Sequence, residues 1–82
     1  MCDIFHANRG EDSLKVLKNK LRTLRFMNGE MTQQELADKV GVTRQTIYAI
    51  ETGKFNPSVK LALLIAKTFQ VNVEDTFYLE GE

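Results

Sequence analysis

Tryptophan is absent from the 82 residues, and proline, cysteine and histidine occur once each. A single cysteine excludes an internal disulfide and any zinc site built from paired cysteines. The only histidine, His6, lies close to Cys2, with no third group to orient the pair and no glycine-rich phosphate loop elsewhere. Catalysis is left without support, and no enzyme is expected. Cys2, Asp3 and His6 are too few and too unevenly spaced for a metal site, so no metal or other cofactor is expected. No apolar run approaches ~18 residues, and no basic segment precedes a shorter one, so neither a membrane span nor a signal peptide is expected. The chain reads as soluble and cytoplasmic, and nothing in it points to a small-molecule effector.

Charge of one sign is also missing in sum, since basic and acidic residues balance at 11 each. Their placement is uneven. Between Lys15 and Lys67 ten basic residues stand against four acidic ones, and the remaining acids lie toward the two ends. A basic middle with acidic ends fits a face that binds a polyanion, although solvated lysines sorted by chance account for it equally well when taken alone. A chain this short is one domain that buries only roughly 60% of its unfolded surface, so support from a partner subunit is expected.

What is present is a series of helix signals. Leu17, Leu21 and Leu24 recur at helical spacing, predicting a first helix from about Asn19 to Met27 that ends at Asn28 and Gly29. Thr32 and Glu35 form a capping box, with Met31 placed to staple onto Leu36, and Gly41 suits the left-handed end of that helix. Thr43 caps the next helix at once, Val42 staples onto Ile47, and Gly53 closes it. Lys54 to Pro57 form a loop, after which Ser58 caps an apolar helix reaching Phe69. That helix is apolar enough either to be central to the core or to present Leu61 or Leu64 to another subunit. Asn72 caps a short last helix from Val73 to about Phe77. "KVLKN" (15–19) and "FYLE" (77–80) alternate like strands and can pair as an antiparallel ribbon.

The stretch "TQQELADKVGVTRQTIYAIETG" has the spacing of a helix-turn-helix. Ala37 sits where two helices approach most closely, Gly41 permits the sharp turn, and Ile47 and Ile50 anchor the second helix. Those anchors turn Arg44, Gln45, Tyr48 and Ala49 outward, with Thr43 and Thr46 at the helix start. An arginine in the first turn opposes the helix dipole, which favours a functional reason for Arg44. The start of such a second helix enters the major groove of DNA.

On these residues, with "LALLIAKTFQVNVEDTF" beyond them, the chain resembles the phage repressor and Cro-like family of regulators over roughly Lys18 to Glu80. One departure is a loop, "NGEMTQ", about one residue longer than usual. The resemblance implies that Gln33 contacts a phosphate and buttresses the second helix, and that Arg44 and Gln45 hold the principal base-reading positions. Arginine can bond guanine O6 and N7, and glutamine adenine N6 and N7. Thr46, Tyr48 and Ala49 complete the base-facing row, and Thr43, Lys54 and Asn56 join Gln33 as phosphate contacts. Arg25 and Glu51 match a family ion pair between the first helix and the end of the second motif helix.

The expected fold is all-α: a compact five-helix repressor-like domain over 15–82, its ends able to form a two-stranded ribbon, preceded by an arm, 1–14, of unread role. The expected function is sequence-specific binding of double-stranded DNA as a homodimeric repressor of a near-palindromic operator, the dimer surface lying at Leu64, Val73, Phe77 and Leu79. Two alternatives stay open. The same motif serves the antitoxin of a toxin-antitoxin pair, and a protein-interaction module can keep the fold after losing DNA.

Overall fold

In the computed structural model, which describes residues 15–80, two threonines begin helices by one device. Thr32 Oγ1 accepts the Glu35 amide at 3.0 Å, and the Glu35 carboxylate accepts the Thr32 amide at 2.8 Å. Thr43 Oγ1 likewise accepts the Thr46 amide at 3.2 Å. Each cap satisfies amides that the first helical turn leaves unpaired, and is worth about 1 kcal/mol.

The elements run β1 (Val16–Asn19), α1 (Leu21–Met27), α2 (Gln33–Val40), α3 (Arg44–Glu51), α4 (Val59–Phe69), a 3-10 turn (Val73–Asp75) and β2 (Phe77–Glu80). The four helices and the ribbon follow the expected order, and the domain is mainly helical. Two boundaries differ. The first helix starts at Leu21 because Asn19 belongs to β1, where its Oδ1 accepts the Leu21 amide at 3.2 Å. The fifth helix shrinks to one 3-10 turn because Phe77 is taken up by strand pairing before a second turn can form.

β1 and β2 pair antiparallel, Val16 opposite Glu80 and Asn19 opposite Phe77. The ribbon is fastened to the helices by Lys20, whose amide donates to Thr76 O at 2.9 Å, and by Asn19, whose Nδ2 donates to Ile50 O at 2.9 Å. The second bond ties the ribbon to the end of α3.

The core is a single cluster. Leu21 of α1, Leu36 and Ala37 of α2, Ile47 and Ile50 of α3, and Leu61, Ile65 and Phe69 of α4 are buried together, with Met31, Val42 and Phe77 packed against them. Burying one such leucine or isoleucine contributes about 1.5–3 kcal/mol. Between α2 and α3 the chain turns at Gly41, whose φ of 79° lies in the left-handed region. The amides of Gly41 and Val42 both donate to Ala37 O, at 2.8 and 3.0 Å, which closes α2 and aims α3 across it. The longer α1–α2 loop turns through two successive left-handed residues, Gly29 and Glu30. No described helix is long and apolar enough to cross a membrane.

Candidate nucleic-acid interface

Burial of Ile47 and Ile50 decides which way α3 faces. Residues at i, i+3 of a helix share a face, so anchoring that pair turns Gln45 and Tyr48 to the exposed side, while Arg44, one turn before Ile47, is exposed because it stands at the very start of the helix. Gln45 has no side-chain partner among the described residues, so its amide is available to a ligand. Tyr48 is half-exposed. Thr46 and Ala49 flank the row and are partly covered. The Thr43 and Thr46 hydroxyls lie 3.1 Å apart and bond to each other, so both serve the helix start before any ligand arrives.

Arg44 is held differently. Its Nη1 donates to Gln33 Oε1 at 3.1 Å, across from the start of α2. A neighbouring acceptor thus offsets the unfavourable position of a cation in a first helical turn. Gln33 stands beside the second motif helix, where the family resemblance puts a buttress, and its Nε2 donates to Glu51 Oε1 at 3.1 Å. Beneath it, Arg25 grips Glu51 with two parallel bonds, Nε to Oε2 at 2.7 Å and Nη2 to Oε1 at 3.0 Å. Only 14% of the Arg25 side chain and 8% of that of Glu51 reach solvent. Removing one partner of such a covered pair costs about 3–5 kcal/mol, because the other charge is left buried alone. Arg22, Arg25, Gln33, Tyr48, Glu51 and Thr52 line a shared cleft between α1, the start of α2 and α3.

Lys54 and Asn56 are exposed in the loop after α3. That loop is fixed by its backbone, the amides of Lys54 and Phe55 both donating to Ala49 O, at 2.9 and 3.2 Å. Holding the start of the loop beside a helix end lowers the backbone cost of presenting Lys54, whose side chain alone then loses rotamer freedom at binding. Lys18, Lys20 and Arg22 add further exposed cations near α1, with the Lys20 ammonium 5.7 Å from the Tyr78 ring centre.

The residues expected at a dimer surface divide. Leu64 and Leu79 are exposed, whereas Val73 is half-buried and Phe77 packs against its own core. Val59 and Leu63, one turn apart on the outer face of α4, are 77% and 55% exposed. Sequence reasoning missed both; the signal was there in their offset from Leu61 and Ile65, which puts them opposite the buried stripe. The arm 1–14, with Cys2, Asp3 and His6, lies outside the described residues.

Known proteins resemble this chain in sequence and in fold. The helix-turn-helix family profile matches residues 21–75. An uncharacterised HTH-type transcriptional regulator of Methanocaldococcus jannaschii is 53% identical over 66 residues, covering 80% of this chain and 98% of that one. The uncharacterised HTH-type transcriptional regulator YgzD of Bacillus subtilis is 50% identical over 66 residues, with the same coverage of 80% and 98%. A crystal structure of a candidate DNA-binding protein from Bacteroides fragilis superposes with a TM-score of 0.66 over 77% of this chain and 100% of that one, at 19% identity. At that identity the likeness speaks to the fold.

Proposed function

The chain belongs to the phage repressor and Cro-like family of helix-turn-helix transcriptional regulators, and from that premise we propose that it acts as a homodimeric repressor occupying a near-palindromic operator. Two copies of α3, related by a two-fold axis, enter successive major grooves about 34 Å apart. The observation that carries this reading is the polar row on α3: Arg44 and Gln45 are exposed beside a buried isoleucine pair, and the Gln45 side chain has no hydrogen-bond partner among the described residues. Arg44 and Gln45 read base edges, with Thr46, Tyr48 and Ala49 shaping the contact. Gln33, Thr43, Lys54 and Asn56 hold phosphates and set the register.

Selection of bound sequences from a random oligonucleotide pool tests this directly, and a two-fold consensus is the expected result. Affinity for the selected duplex should fall steeply with salt: a dimer touching six to ten phosphates loses about 10³–10⁵-fold between 50 and 200 mM. A flat response together with an unenriched pool would favour a protein-interaction module and end the DNA reading.

For the dimer contact the exposed face of α4 at Val59 and Leu63 is the best support, with Leu64 and Leu79 as further exposed apolar positions. α4 starts directly after the loop carrying Lys54 and Asn56, so a contact there fixes the spacing of two α3 helices with little slack. Leu63→Glu buries an unpaired charge in that contact, and is expected to weaken dimerisation about tenfold or more. Size-exclusion chromatography with light scattering reads the change. An unmodified chain that is strictly monomeric at micromolar concentration removes the two-fold arrangement.

A further inference from the structure

The Glu51 carboxylate does more than complete an ion pair. While Arg25 holds it with two bonds, Oε1 also accepts Gln33 Nε2 at 3.1 Å, and Gln33 Oε1 in turn accepts Arg44 Nη1 at 3.1 Å. Arg25 is fixed from behind as well, its Nη1 donating to Met31 O at 2.8 Å. Four side chains from three helices therefore form one line, from a covered charge pair to the exposed first turn of α3.

The chemistry of the line allows one arrangement. A carboxylate only accepts hydrogen bonds and a guanidinium only donates them. The amide between them must turn its nitrogen to Glu51 and its oxygen to Arg44. Reversed, it would set oxygen against carboxylate and an N–H against a cation. We propose that Glu51 is a specificity-determining positioning residue: by fixing the Gln33 amide, it holds the Arg44 guanidinium in one place before DNA arrives.

This inference rests on the base-reading role proposed for Arg44. One of the five guanidinium N–H groups is engaged by Gln33, which leaves enough for the two parallel bonds that guanine accepts. An untethered arginine would reach several base edges and phosphates, each at the cost of its rotamer freedom, and would distinguish them less well. The tether selects one of those outcomes.

The full chain and its Glu51→Gln variant, each with and without Arg44→Ala, are titrated against an operator selected from a random pool. A second duplex differs at the base pair whose preference Arg44→Ala removes. Glu51→Gln is expected to shrink the ratio of the two affinities about threefold to tenfold, and to change it no further once Arg44 is alanine. Gln33→Met leaves the ion pair intact and is expected to reproduce the loss, which keeps the test informative if Glu51→Gln folds poorly. An equal loss on both duplexes, or a reduced ratio that persists without Arg44, overturns the proposal. In the free protein, nitrogen NMR should find slow rotation of the Arg44 guanidinium that becomes fast in Glu51→Gln; fast rotation in the unmodified chain also overturns it. That measurement needs no DNA, so it separates failure of the tether from failure of the DNA reading, which would appear as an unmodified chain preferring no sequence.

Discussion

Arg44→Ala is expected to reduce preference for the operator over a duplex altered at the guanine proposed for Arg44 by about tenfold to a hundredfold. Affinity for unrelated duplex should fall far less, by the loss of one positive charge near the phosphates, and the salt dependence should ease by at most about one contact. The contrast follows from where Arg44 sits. It is exposed, its only described bond is to Gln33, and nothing in the core depends on it. Alanine is the better helix former, and removing a cation from the first turn relieves an unfavourable dipole interaction. Thermal unfolding should therefore show stability unchanged or slightly raised while discrimination drops. Equal losses on every sequence would mean that Arg44 touches only the backbone of DNA.

Ile47→Ala should act in the opposite way. Ile47 is fully buried at the crossing of α3 with the rest of the core. Truncating it costs about 2–5 kcal/mol, a large share of the roughly 5–15 kcal/mol available to a small domain. Ile47→Val, which keeps most of the side chain, should cost about 0.5–1.5 kcal/mol. Urea denaturation orders the three proteins, and operator affinity should track the folded fraction without a change in sequence preference. If Ile47→Ala were stable yet lost its sequence preference, Ile47 would have to face the ligand and not the core.

The expectations that held were local in origin. Thr32 and Glu35 are three residues apart, and a capping box needs only that spacing to form. Gly41 closes α2 in a conformation that a side chain resists. The ribbon was legible because 15–19 and 77–80 alternate, and alternation carries the period of a strand. What escaped depends on distance along the chain. Gln33 and Glu51 are neighbours only after α2 and α3 have folded across each other, and neither residue type announces the other. The last helix was over-extended because Asn72 and Asp75 do make a helical start, whose continuation is decided by the pairing of Phe77 with Asn19. The left-handed backbone of Glu30 has no local cause in a glutamate, a residue that seldom adopts it. Candidate-site side chains were legible as a row on one helix face. How Arg44 is held within that row was not.

The ribbon joins the first described element to the last, so its closure spans nearly the entire domain. Contacts of such long separation carry the largest loop-closure entropy and form late, after the neighbouring helices have docked. Assembly is therefore expected to run from the inside outward, with closure of β1 on β2 coming last. Fluctuations should retrace that order, the strands opening before the paired helices loosen, which leaves the exposed row on α3 intact through the most frequent excursions of the folded protein.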